Sequence, residues 1–258
     1  MTDPDDLKRR TSESFTRSAE AYVKSAGHAH GRDLERLVEL AAPRPGELAL
    51  DVATGGGHTA RALAAAGACV VASDLTAGML AAARQAGSEG IVAWVQGDAE
   101  ILPFGSGIFG IVSCRIAAHH FPSVPRFLAE VARVLAPGGR LALEDSVAPD
   151  HSESARVLDA AERLHDPTHV LTLSAAAWDE GIAAAGLRLE ASERHGKRHV
   201  LDDWCPRPGM SDEARAELER GLLAASPDAR AVLKLEVEKD RPVAFSDEKI
   251  VLLARKPA

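Results

Sequence analysis

The sequence predicts an α/β protein built on a parallel sheet covered by helices, and three observations carry that prediction. From about Glu47 to Leu143, short β-rich runs alternate with Ala-rich helical ones, the order expected when each strand is followed by a covering helix. Within this stretch, Leu48 to Ala60 reads LALDVATGGGHTA, a buried-strand pattern running into three consecutive glycines, with an acid, Asp51, just before the turn. The chain has 258 residues and is 46% hydrophobic, enough to bury one large core or a core plus a lid. Its charged fraction is ordinary for a globular protein, which argues against disorder and coiled coil.

Each element has its own local signal. Strands are expected at Leu48 to Ala53, Cys69 to Asp74, Ile91 to Gly97, Ile108 to Cys114 and Gly139 to Asp145. Helices are expected between them at Thr59 to Ala66, Gly78 to Gln85 and Val124 to Leu135. Thr76 and Ser123 are suited to cap two of these helices, and Pro137-Gly138-Gly139 is a helix stop before a strand. Ahead of the sheet, Ser12 to Leu40 reads as two helices interrupted near Gly27 and ended by Pro43-Arg44-Pro45-Gly46. Beyond Pro149 come a helix to about Leu164, a break at Asp166-Pro167, a helix near Ala175 to Ala184 and a strand from Leu187 to about Glu193. Ser211 to about Leu235 is again helical, and Val243 to Ala254 holds a last apolar run. The expected organisation is one domain over 1–258, with N-terminal helices at 12–46, a strand–helix core at 47–146 and further helices and final strands at 147–258.

A net charge of −8 argues against a general electrostatic grip on nucleic acid or anionic membrane. Cys69, Cys114 and Cys205 are widely spaced, with no pattern of a zinc site or a disulfide framework. The N-terminus is polar and no run approaches bilayer length, so the expected setting is the cytoplasm. The expected partner is a small molecule, with no nucleic acid and no membrane.

The glycine turn admits two cofactors. Gly55-Gly56-Gly57-His58-Thr59-Ala60 fits G-x-G-x-x-G/A, and Asp74 ends the next strand about 20 residues on, where a dinucleotide fold places its ribose-binding acid. That alternative is a NAD(P)-dependent oxidoreductase. Asp51 opposes it, because a carboxylate at the strand end would face the anionic pyrophosphate. S-adenosylmethionine carries no phosphate there and offers an ammonium, a carboxylate and a sulfonium, to which an acid is an attractive partner. A P-loop is excluded because no Gly-Lys-Ser/Thr follows. Asp98, in Gln96-Gly97-Asp98-Ala99, ends the third strand, where it either caps a turn or accepts from an adenine amine. With Asp51 and Asp74 at the ends of neighbouring strands, the second role gains weight, since open α/β sheets collect ligands at the carboxyl ends of their strands.

LALDVATGGGHTARALA, VVASDLTAGMLAAAR, VQGDAEILPF and VARVLAPGGRLAL resemble, in order and spacing, successive motifs of the class I S-adenosylmethionine-dependent methyltransferases. They are most similar to the small-molecule ubiquinone/menaquinone methyltransferase type (methyltransferase type 11). The resemblance implies a Rossmann-like, doubly wound, seven-stranded and mostly parallel sheet, its last strand antiparallel, with N-terminal and C-terminal helical lid elements. It also implies that Asp51 and the Gly55 to Gly57 turn hold the methionine end, with Thr54 offering a hydroxyl or amide to the cofactor carboxylate. Asp74 would take the ribose hydroxyls, Leu75 and Met79 would flank the adenine, and Gly97, Asp98 and Ala99 would meet its amine edge. Arg115 would stand where the chain leaves the fourth strand. The departure is Ala53-Thr54, where many relatives have Gly-Cys.

Methyl transfer from a sulfonium is an in-line displacement that depends on alignment and exclusion of water, and a base is needed only where the acceptor carries a proton that must leave. The candidates for that base, or for an anion or metal ligand, are His119 and His120, in a loop that should face the methyl group. His165 and His169 are candidate acceptor-pocket residues. Pro167 breaks the helix that would align them, so no metal site is expected. The basic run Arg194 to His199 reads as a solvated turn after a strand, with reception of an anionic acceptor as the alternative. Phe15, Ala19 and Tyr22 share one helical face, and the resemblance implies that Tyr22 belongs to a lid. A non-catalytic protein that keeps S-adenosylmethionine as a sensor or structural ligand is the further alternative.

Overall fold

The computed structural model describes residues 3–24, 31–205 and 210–258, with only the backbone at Lys24. In chain order the elements are α1 (Pro4–Lys24), α2 (Arg32–Ala41), β1 (Leu48–Val52), α3 (His58–Ala65), β2 (Cys69–Asp74), α4 (Ala77–Ala86), β3 (Ile91–Gln96) and β4 (Phe109–Arg115). A 3-10 turn at Ala118–His120 follows, then α5 (Val124–Val134), β5 (Leu135–Val147), α6 (Ser152–His165), α7 (Ala175–Ala184) and β6 (Arg188–Val200). The chain ends with α8 (Leu201–Trp204), α9 (Asp212–Ala224), α10 (Pro227–Val232), β7 (Glu236–Glu238) and β8 (Arg241–Arg255). The predicted interruption near Gly27 lies outside the described residues.

The sheet runs β3-β2-β1-β4-β5-β8-β6, with the short β7 pairing β8 off this path. It is mostly parallel with antiparallel C-terminal strands, a Rossmann-like arrangement. The pairs β1–β2, β1–β4, β2–β3 and β4–β5 are all parallel, and the strand order reverses between β1 and β4. Such a reversal opens a crevice at the carboxyl ends of the strands, where α/β folds bind ligands.

Two compact units divide the chain. The first comprises Met1–Asp145, Trp178–Glu193 and Val251–Ala258. Its core includes Leu37, Leu63, Val70, Ile111, Val251 and Leu253, so α2 and α3 bury their apolar faces on apolar side chains of the inner strands. The second comprises Ser146–Ala177 and Arg194–Ile250, and closes around Leu158, Leu201, Trp204, Leu218, Leu222 and Phe245.

Some elements depart from the sequence reading. α1 begins at Pro4, ahead of Ser12, with Asp5 and Asp6 in its first turn, where they suit the helix dipole. β6 continues through the basic run to Val200, so Arg194 to His199 form a strand and not a solvated turn. Its charges are answered locally: Arg194 meets Asp150, and Arg198 forks onto Glu236. The helical stretch after Ser211 is broken at Ser226-Pro227, where Ser226 caps α10. β7 was not anticipated.

Candidate active site

At the crevice, β1 runs into a turn whose backbone is held by two hydrogen bonds, from Thr54 N–H to the Ser73 carbonyl at 2.9 Å and from Gly57 N–H to the Thr54 carbonyl at 2.8 Å. Gly55 (φ 53°) and Gly57 (φ 77°) take the left-handed conformation that glycine adopts without steric cost. Ala53 takes it too, at φ 52°, in the place where the resembled family often has glycine. A Cβ there costs about 1–2 kcal/mol.

Asp51, 1% exposed, lies beneath this turn. Its two carboxylate oxygens accept from Ser113 Oγ and Thr54 Oγ1, each at 2.6 Å. Burial pushes the carboxyl up to about 6, against the hydroxyl bonds, the charge of Arg115 and a bond from the Ala60 amide. The group is therefore a desolvated acid whose direct contacts are neutral, an environment that favours a cation brought close to it.

Asp74 ends β2 and organises its surroundings. One oxygen accepts from Gly55 N–H at 2.9 Å and the other from Thr76 N–H at 2.8 Å, tying the glycine turn to the start of α4. Burial raises its pKa, opposed by those bonds. Thr76 is the cap position of α4, but its amide bonds Asp74 instead of its hydroxyl capping the helix. A carboxylate has about four acceptor positions, so Asp74 retains capacity for a ribose hydroxyl. Met79 is buried next to Gly55, Leu75 is half-buried with its carbonyl bonded to Gln96, and Ala99 is buried. Packing favours glycine at Gly97, since a Cβ there would stand 2.9 Å from Pro103 and 3.0 Å from Ser73 Oγ.

Asp98 is bonded to the Glu100 amide at 2.9 Å and to Lys8 Nζ at 2.7 Å. The structure thus brings Asp51, Asp74 and Asp98 to adjacent strand ends, as the sequence reading placed them. Of the three, Asp51 lies beneath the glycine turn that a dinucleotide's pyrophosphate would face, and a carboxylate there opposes that anion.

Beyond β4 the loop turns sharply at Ile116, which has φ 52° and donates its amide to the Glu144 carbonyl at 2.8 Å. A β-branched residue in this region is strained. Arg115 points its guanidinium at Thr59 Oγ1 (3.1 Å), Asp33 (2.8 Å) and Glu144 (3.5 Å), so its side chain joins α2, α3 and β5. Its charge opposes the burial that would otherwise raise the Asp33 carboxyl, which ends below the usual value.

His119 docks onto the end of β5, with its backbone amide 3.1 Å and its Nδ1 2.5 Å from the two oxygens of the buried Asp145. With Asp145 ionised, this pairing favours the tautomer protonated on Nδ1, in which Nε2 is the basic ring nitrogen. His120 packs against His119, with ring centroids 4.1 Å apart, and edge-on to Phe15 at 5.1 Å. Phe15 in turn meets Tyr22 at 5.3 Å, and the Tyr22 carbonyl lies 3.1 Å from His58 Nε2. One face of α1 therefore lies against the glycine turn and the histidine loop.

The sequence reading missed Asp145, Ser113, Lys8 and Glu100. Asp145 was recoverable, since it continues the row of acids at strand ends; the others carry no local signal. His165 and His169 sit within the second unit on separate partners. His165 stacks on Trp204 at 3.8 Å and bonds the Trp204 carbonyl at 3.0 Å, while His169 pairs with Asp159 at 3.0 Å.

This fold, with acids at consecutive strand ends and a glycine turn between β1 and α3, defines a nucleoside-cofactor enzyme of the α/β class. The family profile described as "Methyltransferase domain" matches residues 50–143. The chain is 31% identical over 242 residues to the uncharacterized methyltransferase YcgJ of Bacillus subtilis (strain 168), covering 92% of this chain and 96% of that protein. The crystal structure of a candidate methyltransferase from Bacillus halodurans C-125 superposes with a TM-score of 0.84 at 38% identity, over 88% of this chain and 100% of that one. The ubiquinone/menaquinone biosynthesis C-methyltransferase UbiE of Cereibacter sphaeroides is 37% identical over 147 residues, 53% of this chain and 59% of that protein. The chain belongs to the class I S-adenosylmethionine-dependent methyltransferases.

Proposed function

We propose that the protein transfers a methyl group from S-adenosylmethionine to a small-molecule acceptor that carries an ionisable proton, with His119 as the base and Asp145 as the group that orients it. The observation that carries this reading is the His119–Asp145 pair, set on the end of β5 in the same row of strand ends as the three acids. The bound cofactor would supply an electrophilic methyl group. Asp51 would face its ammonium, Thr54 its carboxylate, Asp74 its ribose hydroxyls, Leu75 and Met79 the faces of its adenine, and Asp98 and Ala99 the amine edge. The glycine turn lets backbone approach closely, and α1 with Tyr22 excludes water. His119 takes the acceptor's proton through Nε2 while Asp145 stabilises the imidazolium that forms. The charge of −8 favours a small acceptor over nucleic acid.

A panel of phenols, quinols and amines assayed with methyl-labelled S-adenosylmethionine tests this. On any acceptor that turns over, His119→Asn should lower kcat by about 100-fold or more, the range of general-base contributions, with cofactor affinity unchanged. Full activity in His119→Asn would remove the base.

A further inference from the structure

Lys8, Phe15 and Tyr22 follow one another at heptad spacing on α1, and so lie along one face of that helix. Phe15 packs on the histidine loop, Tyr22 meets Phe15 and, through its carbonyl, His58, and Thr16 abuts Gly78 at the start of α4. Lys8 is the polar member of the row. Its ammonium bridges two acids, lying 2.7 Å from Asp98 and 2.8 Å from Glu100.

Asp98 is partly exposed, but Glu100 differs in kind from the partner of an exposed surface pair, which contributes little. The Glu100 side chain is 1% exposed, and its other oxygen accepts from the Ser123 amide at 2.6 Å, at the cap of α5. Among the described residues Lys8 is the only lysine or arginine within 4.0 Å of either carboxylate. A buried carboxylate deprived of its cation is strongly destabilised, so α1 has a definite docked position. Asp98 is then fixed from two sides, by Lys8 on one oxygen and by the Glu100 amide on the other.

We propose that Lys8 is a positioning residue for adenine recognition: by bridging Asp98 and Glu100 it orients the carboxylate that meets the adenine amine, and it makes docking of α1 a condition of tight cofactor binding. This rests on the reading of Asp98 as the adenine acid. With Lys8 in place, the Asp98 carboxylate accepts from the amine in a set orientation. Without it, the carboxylate reorients towards water and the preference for a 6-amino purine is lost.

Calorimetric titration of the full chain with S-adenosylhomocysteine, and with its analogue bearing a 6-oxo group in place of the 6-amino group, separates the possibilities. Lys8→Met should weaken S-adenosylhomocysteine about tenfold, the size of one lost hydrogen bond to a charged group, and weaken the 6-oxo analogue far less. Lys8→Arg should restore the discrimination. Equal weakening of both ligands would reduce Lys8 to a structural pin, and no weakening of either would remove it from recognition; both outcomes overturn the proposal. Should Lys8→Met fail to fold, hydrogen exchange of the unaltered protein decides. S-adenosylhomocysteine should protect the amides of α1 more than the 6-oxo analogue does, and equal protection would refute the coupling. Failure of the unaltered protein to bind S-adenosylhomocysteine at all would instead sink the cofactor assignment.

Discussion

Asp51 is predicted to destabilise the empty protein in order to serve the cofactor. Its carboxyl is raised from 3.8 to about 6 by burial, so the folded chain holds this proton over a pH range where the unfolded chain has already released it. Stability from this group is therefore full below pH 3.8 and falls as pH rises through about 6. A difference of about 2 units at 1.36 kcal/mol each sets the loss above that range at about 3 kcal/mol. Asp51→Asn removes the charge at nearly constant shape. One of the hydroxyls of Ser113 and Thr54 must then turn to accept from the new amide, which both can do. After that adjustment the variant should be more stable than the parent by about 1–3 kcal/mol at pH 8. Urea unfolding of both proteins without ligand at pH 5, 6, 7 and 8 reads this directly. The gap should widen from pH 5 to about pH 7 and then stay level, while S-adenosylhomocysteine affinity drops at least tenfold in the variant. A variant less stable than the parent at pH 8, or a gap independent of pH, would refute the reasoning.

Two further predictions follow from strain and from buried charge. Ala53→Gly should stabilise the protein by about 1 kcal/mol, because it relieves the left-handed Cβ at φ 52° at a smaller entropic cost, as urea unfolding would show. In the second unit Lys249 donates to Asp247 at 2.7 Å and to Ser146 at 2.6 Å, and Asp247 also meets His199 at 2.8 Å. Despite burial, the Asp247 carboxyl is held down at about 2, chiefly by the Lys249 charge, so its stabilisation is present above about pH 4 and disappears as pH falls through 2. Lys249→Met should cost about 3–5 kcal/mol at pH 7, and Lys249→Met with Asp247→Leu should recover much of it. A single variant as stable as the parent would contradict the pairing.

The parts of the site readable from sequence are those whose chemistry is local. The glycine turn, Asp51 before it, and Asp74 and Asp98 after their strands are short-range signals, since a strand end and its turn are encoded by neighbouring residues. The His119–Asp145 pair depends on β4 and β5 lying side by side, a relation between distant segments that the spacing of residues does not display. Lys8 is more hidden still, because α1 there is polar and nothing in PDDLKRR marks the lysine as half-buried. Arg115 was placed correctly at the end of β4, but its direction is decided by Asp33 and Glu144, one from α2 and one from β5. The basic run at Arg194 becomes strand for the same reason: pairing across the sheet outweighs local turn character. His165 and His169 are close in sequence but take unrelated partners, Trp204 and Asp159, in keeping with the break expected at Pro167.

The account turns on which cofactor the three acids receive. Titration of the full chain with S-adenosylhomocysteine and with NADH, repeated on Asp74→Ala, tests that most directly. The predicted result is saturable binding of S-adenosylhomocysteine, sharply weakened by Asp74→Ala, with no detectable binding of NADH. Tight binding of NADH without binding of S-adenosylhomocysteine, or an affinity for the latter untouched by Asp74→Ala, would contradict it.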